Sequence, residues 1–120
     1  LVESAVNDAK RNAKLNNINN CSFYGGDLMD IFKKNDDLEN LPKPDVIVID
    51  PPRSGMHIKT IRQIFEQSPQ RIVYISCNPS TQVRDIKFLT EDSYKIKFVQ
   101  PVDMFPHTPH IENIVTLEKF

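Results

Sequence analysis

The sequence has only two cysteines among its 120 residues, no long apolar run and a formal net charge of −1. Each shortage excludes something. Cys21 and Cys77 stand far apart and form no metal-ligand spacing, and for such a chain a reduced, cytoplasmic setting is the default. No apolar stretch reaches the length that crosses a bilayer, and acids and amides near the start argue against a secretory leader in Leu1 to Leu15. The chain lacks the broad basic footprint of a stand-alone nucleic-acid binder, so any such affinity must come from a local patch or from sequence elsewhere. There is no internal repeat, low-complexity tract or linker. With no initiator Met and no evident first strand, the sequence reads as part of a larger domain.

What is present is ordinary globular composition, 39% hydrophobic and 26% charged, enough to bury a modest core. Val2, Ala5, Val6, Ala9 and Ala13 recur at helical spacing, predicting an amphipathic helix from the start to about residue 16, with Asn16 and Asn17 as stop signals. A short strand is expected over Cys21 to Tyr24, then Gly25-Gly26-Asp27 and a short helix from Leu28 to Lys34, followed by a polar loop to Pro44. The β-branched run in Asp45 to Asp50 predicts a strand buried on both faces and ended by Pro51-Pro52. A helix follows from Ile58 to Glu66, then a second buried strand from Arg71 to Ser76. Asn78-Pro79 breaks that strand, and Ser80 or Thr81 would cap a helix to about Leu89. Two strands close the chain, near Tyr94 to Val99 and Asn113 to Leu117, joined by a loop bearing proline and histidine. Alternation of this kind predicts an open, mostly parallel α/β sheet, with the last two strands pairing as an antiparallel hairpin at one edge.

Open α/β sheets bind ligands outside the carboxyl ends of their strands. Here those ends fall near Asp27, at Asp50 and at Cys77. An antiparallel last strand would begin on the same edge, bringing Glu112 toward Cys77. Three segments follow one another along the chain. They are Asp50-Pro51-Pro52-Arg53-Ser54-Gly55; Ser76-Cys77-Asn78-Pro79-Ser80-Thr81 with Arg84-Asp85; and Asp103-Met104-Phe105-Pro106-His107-Thr108-Pro109-His110-Ile111-Glu112. Together they resemble the RNA uracil-C5 methyltransferase family, whose members act on ribosomal and transfer RNA. The match covers nearly the whole chain, and three linked motifs are far more specific than a lone Asp-Pro-Pro.

The resemblance implies a Rossmann-like methyltransferase fold, S-adenosyl-L-methionine (SAM) as cofactor and an RNA partner, with ribosomal RNA favoured over transfer RNA. It implies that Cys77 is the nucleophile and Glu112 the base, with Asp27 and Asp50 near the cofactor. Residues 1–120 would then be a partial catalytic domain, because the family's glycine-rich cofactor loop belongs before Leu1 and the first strands of the sheet are missing.

The chemistry asks for these residue types. C5 of uracil is a poor nucleophile until a thiolate adds at C6, and a base must afterwards remove the C5 proton. Cys77 sits just before a helix N-terminus, where partial positive charge favours an anionic sulfur. Plainer readings stand beside each assignment. Cys77 could be a buried structural cysteine, Glu112 a strand-edge surface carboxylate, Asp50 a turn cap and Asp27 a turn residue rather than an acceptor for an adenine amino group. Arg53 suits a phosphate or a surface ion pair. His107 and His110 lack the further ligands a metal needs. Lys95, Lys97 and Lys119 could touch an RNA backbone or simply face solvent. The competing functions are a SAM-dependent methyltransferase acting on an exocyclic amine, which needs no cysteine, and a non-catalytic scaffold.

Overall fold

The computed structural model describes residues 3–26, 42–91 and 93–120. The chain divides into two units, Leu1–Leu41 and Pro42–Phe120. In the first, helix α1 spans Glu3–Leu15. Asn17 ends it in the left-handed region (φ 56°), a conformation asparagine tolerates better than most residues. Its N–H donates to Lys14 O, and that of Ile18 donates to Ala13 O, which satisfies carbonyls the helix end would otherwise leave open. The strand expected over Cys21–Tyr24 is not formed. A strand exists only where a neighbour completes its hydrogen bonds, and no ladder among the described residues includes this segment. Asp27, the helix expected from Leu28 to Lys34 and most of the following loop lie outside the described residues.

The second unit is a mixed α/β layer. Its elements run β1 (Val46–Ile49), α2 (Ile58–Gln67), β2 (Arg71–Ser76), α3 (Pro79–Thr90), β3 (Tyr94–Val102) and β4 (Glu112–Lys119). The sheet order is β1-β2-β4-β3. β1 and β2 are parallel, with Ile49 opposite Tyr74, as the intervening helix requires. β4 runs antiparallel between β2 and β3, so the C-terminal hairpin is present, with a register irregularity between Ile96 and Phe98.

One sheet face carries the core. Ile49, Ile72, Tyr74, Val115 and Leu117 alternate onto it and meet Ile61 and Ile64 of α2 and Ile86 and Leu89 of α3. The expectation that β1 is buried on both faces does not hold among the described residues. Ile49 is buried, but Val46 and Val48 are 49% and 63% exposed, because their pleat faces away from both helices. The cap of α3 also differs. Asn78, rather than Ser80 or Thr81, accepts from the Ser80 N–H, and Pro79 takes the first helical position, where its missing N–H costs nothing.

Candidate active site

Parallel β1 and β2 end on one edge of the sheet, and antiparallel β4 begins there. Asp50 follows the last residue of β1 and is exposed. Cys77 follows the last residue of β2, is half-buried, and carries a free thiol. Glu112 opens β4 and is also half-buried. Ser76 and Asn113 are the final Cα partners of the β2–β4 ladder, so Cys77 and Glu112 are the next residues outward on adjacent strands. The sequence-predicted residues Asp50, Cys77 and Glu112 are thus brought to one edge. Arg53 lies exposed on the loop after β1.

Buried polar side chains hold this edge. Gln82, on the inner side of α3, is fully buried. Its Nε2 donates to Tyr74 O (2.9 Å) on β2 and to Asn113 O (3.1 Å) on β4. Asn113 Nδ2 donates back to Gln82 Oε1 at 2.6 Å. One amide therefore ties the two strands together, three residues before Cys77 on β2 and one residue after Glu112 on β4. Ser76 Oγ donates to Asn78 O and accepts from Asn78 N–H, fixing the turn that carries Cys77 into α3. Asn78 Nδ2 donates to Arg53 O (3.0 Å), as does the Thr81 hydroxyl (3.1 Å), so the Pro-Pro-Arg loop is fastened to the same helix end. Before Glu112, His107 adopts a positive φ of 67°, and Thr108 closes the turn by donating its hydroxyl to Phe105 O (2.7 Å).

Sequence reasoning did not single out Gln82 or Asn113. The available signal was the spacing 82, 85, 86, 89, which places two polar residues on the stripe of α3 that also carries Ile86 and Leu89. His107 and His110 are exposed, and no cluster of three or more histidine, cysteine or acidic side chains suited to a metal forms among the described residues.

An α/β sheet whose reactive side chains gather beyond the carboxyl ends of parallel strands has the architecture of the Rossmann-like enzymes. Solved structures agree. The chain superposes on a tRNA (uracil-54, C5)-methyltransferase of Pyrococcus abyssi, determined with S-adenosyl-L-homocysteine, at a TM-score of 0.77 and 36% identity, over 96% of this chain and 26% of that one. A Streptococcus thermophilus rRNA methylase shares the fold at a TM-score of 0.68 with 10% identity, over 99% of this chain and 69% of that one. Residues 1–120 match the tRNA (uracil-5-)-methyltransferase family throughout, and the chain belongs to that family. An uncharacterized RNA methyltransferase of Bacteroides thetaiotaomicron is 51% identical over 117 residues, 98% of this chain and 25% of that protein. One from Clostridium tetani is 48% identical over 119 residues, 99% of this chain and again 25% of that protein. The chain thus spans about a quarter of the length of these relatives.

Proposed function

We propose that the protein methylates C5 of a uridine in RNA, with SAM as methyl donor, through a covalent bond between Cys77 and C6 of the base. One observation carries this reading: a free thiol and a carboxylate stand at adjacent strand ends, Cys77 after β2 and Glu112 at the start of β4, in a chain of the uracil-5 methyltransferase family. An exocyclic-amine methyltransferase has no use for that thiol.

Asp50 fits a cofactor role by its chemistry. It is an exposed carboxylate at the strand edge where such folds bind ligands, able to accept hydrogen bonds from the donors of SAM or of the target base. Asp27 is proposed to accept from the adenine amino group. When bound, SAM supplies the methyl group. The Cys77 thiolate adds to C6, breaking the C5–C6 double bond and making C5 electron-rich. Once C5 carries the methyl group, Glu112 takes the C5 proton, and the returning electron pair expels the Cys77 sulfur and restores the double bond. A reducing, cytoplasmic setting suits a free thiol in this role.

Incubating the whole protein with labelled SAM and with ribosomal or transfer RNA, then digesting the RNA to nucleosides, tests this directly. Ribosomal RNA is the first substrate to try, and transfer RNA, which the name of the Pyrococcus relative carries, is the second. 5-Methyluridine is the expected product. Label on an exocyclic amine instead would overturn the proposal.

A further inference from the structure

Asp85 lies on α3 one turn beyond Gln82 and is fully buried, yet it bonds to neither strand end of the site. It faces the loop that leaves Asp50. Its Oδ2 accepts from the Met56 N–H (2.7 Å) and from the Tyr74 hydroxyl (2.8 Å). Its Oδ1 accepts from Arg84 Nε (2.9 Å) and Nη2 (2.7 Å). Arg84 Nη2 also donates to Ser54 O (3.1 Å) and to Met56 O (3.3 Å). With Asn78 and Thr81 on Arg53 O, the first turns of α3 grip the backbone at residues 53, 54 and 56.

Gly55 makes this grip possible. Its φ is +76°, and a Cβ there would stand 2.7 Å from both Arg84 Nη2 and Asp85 Oδ2. The loop is pressed so closely onto the ion pair that no side chain fits between. Stability alone is a poor explanation for a carboxylate in this place. Burying a carboxylate costs desolvation that the half-exposed Arg84 guanidinium only partly offsets, and an apolar replacement often holds a fold as well. What an apolar group cannot do is fix the Met56 amide and the Ser54 carbonyl at set positions.

We propose that Asp85 is a positioning residue for methyl transfer: with Arg84 it fixes the 53–56 backbone against the N-terminal turns of α3, and so holds Asp50 in register with Cys77. Asp50 lies at the near end of the clamped loop, and Cys77 immediately precedes the Asn78 cap of the clamping helix. The kinetic consequence rests on the function proposed above, whereas the clamp rests on geometry alone.

The test uses the whole protein and three substitutions. In Asp85→Asn, the one remaining oxygen can serve Met56 and Tyr74, but the new NH2 then faces Arg84, which has only donors to offer. Gly55→Ala attacks the same contacts from the loop side. Leu89→Ala is the stability control, since it empties a fully buried apolar site on the same helix without touching these bonds. At a temperature where all are folded, Asp85→Asn and Gly55→Ala are expected to lose about tenfold or more in kcat, as small misplacements of reacting groups do. Leu89→Ala should melt earlier yet keep kcat and KM within about twofold. The double variant should lose no more than the worse single one, because both break one clamp. Unchanged kinetics in Asp85→Asn, or multiplying losses in the double variant, would overturn the proposal. Amide exchange at Met56 gives a reading independent of catalysis. It should accelerate in Asp85→Asn, and unaltered protection would refute the clamp even if activity fell. If the wild-type protein makes no 5-methyluridine, the functional reading fails, and exchange at Met56 still decides the clamp.

Discussion

Replacing Gln82 by Met keeps the length of the side chain and removes its amide. Three hydrogen bonds disappear: two donated by Nε2, to Tyr74 O and Asn113 O, and one received from Asn113 Nδ2. At about 0.5–1.5 kcal/mol each, their loss would cost about 3 kcal/mol. Asn113 is only half-buried, so water can replace part of what it loses, which lowers the figure to about 2 kcal/mol. The Tyr74 carbonyl lies beside a fully buried position and recovers less. Urea unfolding of the whole protein should therefore show a lower midpoint with an unchanged slope. The Ser76–Asn113 end of the ladder should fray first, so the rate of methyl transfer should fall at a temperature where the protein remains folded. A stability change below about 0.5 kcal/mol, the size of an ordinary surface substitution, would refute the view that Gln82 ties β2 to β4.

Burial, reinforced by the hydrogen bond to Asp85, pushes the Tyr74 hydroxyl well above its ordinary value of 10.0. A group whose folded value is raised contributes stability that is complete below pH about 10 and is lost as pH climbs further, so alkaline unfolding should be shallower in Tyr74→Phe than in wild type. Asn78→Ala removes both the α3 cap and the bond to Arg53 O, and should cost about 1–2 kcal/mol in thermal or urea unfolding. Arg71 lowers the titration of Glu118 through their 2.8 Å contact at the surface, so Arg71→Ala should move it up toward the usual carboxylate range in an NMR titration, with little effect on stability.

Much of the second unit could be read from residue types. Val46–Ile49 and Arg71–Ser76 are β-branched runs ended by Pro51-Pro52 and by Asn78-Pro79, and proline cannot continue a strand ladder. The hairpin followed from two late strands with no helix between them, and its antiparallel sense is what carries Glu112 to the edge that holds Asp50 and Cys77. Tertiary context decided the rest. Cys21–Tyr24 has the residue types of a strand but no partner in any ladder among the described residues. Val46 and Val48 differ from Ile49 in burial because of where α2 and α3 pack, which the run of residue types does not encode. The polar seam of Gln82 and Asn113, and the burial of Asp85, which the second motif had named, were hidden for a similar reason. A glutamine or an aspartate on a helix reads as solvent-facing until its register against Ile86 and Leu89 is counted.

The covalent route is tested most directly on a denaturing gel, with the whole protein, its RNA substrate and SAM. In the proposed mechanism Cys77 acts before methyl transfer and Glu112 after it. Glu112→Gln is nearly isosteric but cannot take the C5 proton, so methylated RNA should accumulate on the protein, up to about one equivalent. Cys77→Ala should give neither adduct nor methylated RNA. Normal turnover in Glu112→Gln would mean that another group is the base, and activity in Cys77→Ala would contradict the covalent mechanism outright.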